Sequence, residues 1–171
     1  MKTDQARVTV SVSVPRERAF DIFTREIDLW WRRGLRFRHF ADEKSIIAIE
    51  PFKGGRVFES TSESGPAHEF GRVLEWEPPE HLRFEWRLSN FGPGERTEVD
   101  VRFETVGNTT QVTVTHRAWD GIRGDHPARH SEAPAQFLRS LGMWWGDQLR
   151  VFRLRTLPGA STPRSASSHE V

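Results

Sequence analysis

The chain has 171 residues, with 25 basic and 24 acidic side chains and a formal net charge of +1. That length suits one domain with a full core rather than two, and the balanced charge excludes electrostatic steering toward nucleic acid. There is no cysteine, which excludes disulfides, thiol catalysis and thiolate metal sites.

The N-terminus, MKTDQARVTV, has no apolar run of signal-peptide length, and no stretch approaches the ~20 apolar residues of a membrane span. A cytoplasmic location is the expectation. The aromatic content is uneven, with seven Trp and twelve Phe but no Tyr. Such rings either fill a core or wall a pocket for an apolar ligand.

Residues 7–14, RVTVSVSV, alternate strictly. Val8, Val10, Val12 and Val14 share one face, as in a half-buried strand. Pro15 ends the strand and is suited to the first position of a helix. That short helix, PRERAFDIFT, carries Ala19, Phe20, Ile22 and Phe23. REIDLWW reads as a second short helix, followed by the basic turn RRG. Strands follow at 45–50, 56–61 and 67–76, the first two joined by the turn PFKGG. In 81–88, Leu82, Phe84, Trp86 and Leu88 alternate with charged residues. Val99, Val101 and Phe103 repeat that pattern, Gly107-Asn108 makes a turn, and 110–117 is the last strand. Six or seven strands at hairpin spacing predict an antiparallel sheet in an α+β fold.

One long helix closes the chain, from about Pro134 to Thr156, or ~35 Å at 1.5 Å per residue. At about 100° per residue, Phe137, Leu138, Leu141, Trp145, Leu149 and Phe152 fall within one apolar arc. Trp145 lies in its middle and is expected to face the sheet. Trp144 lies at its edge and is expected to cover a rim or a neighbouring loop. Gln148 is polar inside the arc and needs a partner if buried. Gly142 and Gly146 lie at the other edge, where close approach of a strand end or loop is the expectation. Residues 1–157 are read as a single domain, and 158–171, PGASTPRSASSHEV, as a disordered tail.

The order of these elements resembles the helix-grip fold of the START-like, or SRPBCC, superfamily, which includes the birch-pollen allergen type. "VPRERAFDIFTREIDLWW", "PFKGGRVFE", "GRVLEWEPPEHLRFEW" and "TQVTVTHRAW" follow one another as in the activator of heat-shock protein 90 ATPase homologue-like family. The closing Trp145, Leu149 and Phe152 resemble its Trp-x-x-x-Leu-x-x-apolar ending. The resemblance covers residues 6–155. It implies a curved sheet and, between sheet and long helix, a cavity without a cofactor that takes an apolar or aromatic small molecule. Family members also include a chaperone-activating domain, so a module that stimulates an Hsp90-type ATPase is the alternative. Some START-like proteins catalyse cyclisation or dehydration in the same cavity, which keeps a cyclase or lyase in view.

On the strand parity, Phe84, Trp86, Val101, Phe103 and Val114 face one side, while Phe70 and Arg72 share a face of the preceding strand. With Trp30 and Trp31 at one end and Leu141, Trp145 and Gln148 on the helix, these residues wall either a pocket or a solid core. His116 continues the inward parity, either as a satisfied core or rim histidine or as a base. Arg72 either reaches solvent, pairs with a carboxylate such as Glu59, or holds an anionic ligand group. In WDGIRGDHPARHSE the His126 and His130 spacing would suit a metal on a helix, but Pro127 and the glycines make it a loop. No metal is expected there, and the loop is read as a lid over the cavity mouth. No Ser-His-Asp pattern, P-loop or dinucleotide fingerprint is present.

Overall fold

The computed structural model describes residues 4–160. Strands β1 (Ala6–Val12), β2 (Ile46–Ile49), β3 (Arg56–Ser60), β4 (Ala67–Glu77), β5 (His81–Trp86), β6 (Thr97–Val106) and β7 (Thr109–Arg117) form one curled sheet. Its order is β1-β7-β6-β5-β4-β3-β2, antiparallel throughout. Turns join neighbours from β2 to β7. Only the step from β1 to β2 crosses the sheet, and it carries α1 (Arg16–Thr24) and α2 (Ile27–Trp30). The long helix α3 (Pro134–Arg155) closes the concave face. The two short helices, the antiparallel sheet and the long closing helix match the helix-grip expectation. The proposed tail falls largely on residues 161–171, outside the described residues.

Local chemistry accounts for the elements. Pro15 caps α1 rather than opening it, and the helix buries Ala19, Phe20, Ile22 and Phe23. The carbonyl of Ile22, near the end of that helix, accepts from Trp30 Nε1 at 3.0 Å. The indole therefore supplies a donor that the helix terminus lacks. Trp31 Nε1 donates to the Phe37 carbonyl at 2.8 Å, which turns the following loop back over the concave face. Phe23 meets Trp30, Phe103 and Phe152 at ring-centroid distances of 4.9, 5.7 and 5.4 Å. These rings join α1, the sheet and the C-terminal half of α3 in one solid core.

Helix α3 has the expected phase. Trp145 is buried, Trp144 is half-buried and Met143 is exposed. The expectation at Gly142 and Gly146 is not met. A Cβ at either position would meet nothing within 4 Å, so no strand end or loop presses on the helix there. The phase of a helix shows which way a residue points, not how far away the neighbouring element lies. At Gly71 of β4 the opposite holds, because an added Cβ would run into the carbonyl of Glu85 on β5.

Strand β4 departs from simple alternation. Its register shifts once beside Val57 and Phe58 of β3 and again between Val73 and Glu75. Phe70 and Val73 are both buried, whereas Arg72 is exposed. Arg72 therefore does not share the face of Phe70. Each bulge moves the inward parity by one residue.

Candidate functional site

A cavity of about 520 Å³ lies under the N-terminal half of α3. The C-terminal half of that helix sits down on the core through Leu149 and Phe152, while Leu138 and Leu141 remain only half-buried. Phe70 of β4 and Trp86 of β5 stack at 4.4 Å with planes 4° apart and form the floor. From α3, Phe137, Leu141 and Trp144 form the roof. The loop after α2 contributes Phe37, which stacks on Trp144 at 5.7 Å, and Trp144 Nε1 donates to the Arg36 carbonyl at 2.9 Å. The loop after β7 contributes Trp119, edge-on to Phe137 at 4.6 Å, together with Pro127, Ala128 and His130.

His116 of β7 lies in the wall with both ring nitrogens engaged. Trp145 Nε1, which can only donate, gives its proton to His116 Nδ1 at 3.1 Å. The Thr97 hydroxyl donates to the Trp86 carbonyl at 2.9 Å, so it accepts from His116 Nε2 at 2.8 Å. This chain of donors fixes the neutral tautomer with the proton on Nε2. Burial, with no carboxylate partner on the ring, lowers the pKa to about 3. A histidine so arranged offers no free lone pair, and it holds α3 to the sheet rather than serving as a base.

Glu59 is also fully buried. Its carboxylate accepts from the Ser45 hydroxyl and from the amides of His39 and Phe40, at 2.7 Å for His39. It therefore ties the loop after α2 to β3. Arg38 lines the cavity, but its guanidinium is committed to Asp28 Oδ1 at 2.8 Å and to the carbonyls of Trp31 and Ser45 at 3.0 and 3.1 Å. His39 and His68 stack face to face at 4.0 Å, 12° apart, and both line the cavity. Burial is the main cause lowering the pKa of His68, and His39 beside it adds to the effect.

Of the residues singled out in the sequence, Phe70, Trp86, His116 and Leu141 line the cavity. Phe84, Val101, Phe103 and Val114 face the same side but lie in the solid part of the core. Trp30, Trp31 and Trp145 are core residues as well. Gln148 is buried, and its Oε1 accepts from the Arg32 amide at 2.9 Å while its Nε2 has no partner. Arg72 lies on the outer face and pairs with Glu69 at 2.7 Å, not with Glu59. The residues that parity missed are Phe37 and His39 in the loop after α2, Trp119 in a 3-10 turn (Trp119–Gly121) after β7, and His68, Phe137 and Trp144. Rings in otherwise polar loops were the available signal for Phe37 and Trp119. His68 stands two residues before Phe70, at the same inward parity.

Residues 13–143 match the family model described as "Activator of Hsp90 ATPase homolog 1-like protein". The chain belongs to that family. Its fold is shared by several solved structures. Protein MLL2253 from Mesorhizobium loti aligns with a TM-score of 0.59 at 18% identity, over 88% of this chain and 94% of that one. Protein CV1439 from Chromobacterium violaceum aligns with a TM-score of 0.59 at 16% identity, over 91% of this chain and 98% of that one. PFC0360w, an HSP90 activator from Plasmodium falciparum, aligns with a TM-score of 0.59 at 21% identity, over 89% of this chain and 95% of that one. No curated protein matches the chain in sequence. Among the described residues, no helix is long and apolar enough to cross a membrane. The family and its START-like fold are compatible with ligand binding.

Proposed function

We propose that this protein binds a small apolar or aromatic molecule in the cavity beneath α3. The observation that carries the reading is the cavity itself, about 520 Å³ with Phe37, Phe70, Trp86, Trp119, Phe137 and Trp144 in its walls. Cavities of roughly 300–1,000 Å³ suit small organic ligands, and rings supply large contact area at low entropic cost. The test is a titration with N-phenyl-1-naphthylamine, an uncharged two-ring-system fluorophore. Saturable binding should quench tryptophan emission and raise the melting temperature, by about 2.7 kcal/mol of stabilisation at a hundredfold excess over Kd. Leu141→Trp, which fills the cavity from its roof, should abolish both effects. Binding that persists unchanged in that variant overturns the reading, as does a native protein that binds neither this probe nor its sulfonated counterpart, 8-anilinonaphthalene-1-sulfonate.

A second reading is stimulation of an Hsp90-type ATPase, with the family's description as its support. It is tested by adding the protein to the chaperone at tens of micromolar, roughly the range of weak complexes. No change in ATPase rate removes it.

A further inference from the structure

Acidic and basic side chains are almost equal in number in the whole chain, 24 against 25. The cavity wall does not share that balance. Arg36, Arg38, His39, His68, His116 and His130 line it, and among the described residues no Asp or Glu side chain does. The basic groups differ in availability. His116 is neutral with both nitrogens bonded. The Arg38 guanidinium is held by Asp28 and backbone carbonyls. Arg36 is 62% exposed in its side chain, where it pairs with Asp147 at 3.7 Å and lies over the Phe37 ring at 5.4 Å. His68 keeps Nε2 buried without a partner, and His39 stacks on its face. Glu59, which stands opposite His68 on β3, has its oxygens occupied by Ser45 Oγ and two loop amides. The titratable lining residues available to a ligand's polar group therefore include Arg36, His39 and His68, grouped where the loop after α2 meets β4.

We propose that the cavity is selective for an aromatic acid, whose rings lie among Phe70, Trp86 and Trp144 and whose single anionic group sits at Arg36 and the His39–His68 pair. This rests on the small-molecule reading above and narrows it to a ligand class. Two physical requirements are met together. The ring walls desolvate the aromatic part. An anion beside the Arg36 guanidinium and an imidazole N–H gains charge-assisted hydrogen bonds, and among the described residues no Asp or Glu side chain lines the cavity to repel it. A cavity built only for neutral hydrocarbons has no use for an arginine and two stacked imidazoles in a wall that no Asp or Glu side chain among the described residues lines.

The test compares two fluorophores with the same rings, 8-anilinonaphthalene-1-sulfonate and uncharged N-phenyl-1-naphthylamine, on the full chain. The native protein should bind the sulfonate at least about fivefold more tightly, and raised salt should weaken only the sulfonate. Arg36→Gln, at an exposed position, should lower sulfonate affinity about fivefold and leave the uncharged probe within twofold. His68→Phe, which keeps a stacking ring, should act in the same direction. Native affinities that are equal, or variants that weaken both probes alike, overturn the acid selectivity while leaving the cavity reading in place. Failure of the uncharged probe alone, with the sulfonate bound and sensitive to Arg36→Gln, supports the selectivity and rejects a purely apolar site. Failure of both probes overturns both readings.

Discussion

Trp144 and Trp145 are adjacent in sequence, yet their replacement should have opposite signatures. Trp145 is 1% exposed and packs on Trp31 and His116 at 5.6 and 6.1 Å. Truncation to Ala removes a core aromatic, at about 3–5 kcal/mol. It also leaves His116 Nδ1 buried without its donor, at about 1–3 kcal/mol more. The sum, about 4–8 kcal/mol, is a large part of the stability of a typical domain. At about 2–4 °C per kcal/mol for a chain of this size, the melting midpoint should fall by about 10 °C or more. Trp144 is half-buried, and its hydrogen bond to the Arg36 carbonyl is exposed, so Trp144→Ala should cost only about 2 kcal/mol. Because Trp144 lines the cavity and Trp145 does not, Trp144→Ala should be the variant that weakens N-phenyl-1-naphthylamine binding. Urea unfolding at 25 °C measures the stabilities, with Trp145→Phe as the milder substitution if the Ala variant is largely unfolded. A Trp144 variant that proves the more destabilised, with its probe affinity intact, refutes the placement of α3 and the cavity roof.

Gly142→Ala and Gly146→Ala should each stabilise the protein by about 0.5–1 kcal/mol, because alanine is the better helix former and the added methyl meets open space; a lower urea midpoint for either shows that the helix is pressed there after all. Gly71→Ala should be destabilising by about 2 kcal/mol or more, since its methyl meets the backbone carbonyl of Glu85, and a melting temperature equal to the parent's contradicts the close approach of β4 and β5. His116 takes a proton near pH 3 in the folded chain but at its ordinary 6.5 when unfolded. Its contribution is complete above 6.5 and declines as pH falls toward 3, by about 2 kcal/mol between pH 6.5 and 5. The stability difference between the parent and His116→Gln, followed from pH 8 to 5, should shrink by that amount, and a constant difference contradicts the neutral buried ring.

Several features of this protein follow from local pattern alone. Strand alternation places Phe84, Val101, Phe103 and Val114 on the inward face, because a pleated strand turns successive side chains to opposite sides. Helical phase separates Trp145 from Trp144 and puts Leu149 and Phe152 against the sheet for the same kind of reason. The ordered motifs from Val14 to Phe152 identify the family and its helix-grip fold. Which inward residues meet empty space is not a local property. Along α3, Leu149 and Phe152 join the solid core, whereas Phe137, Leu141 and Trp144 line the cavity. What stands opposite separates Leu141 from Leu149, which share one stripe. The bulges in β4 depend on pairing with β3 and β5, so parity alone carried Arg72 to the wrong face. The basic lining is still less local. Arg36 and His39 reach the wall through a loop held by Trp31, Trp144 and Glu59, and His68 meets His39 across 29 residues of sequence. Periodicity reports the direction of a side chain from its own backbone, and only the packed elements decide what stands opposite it.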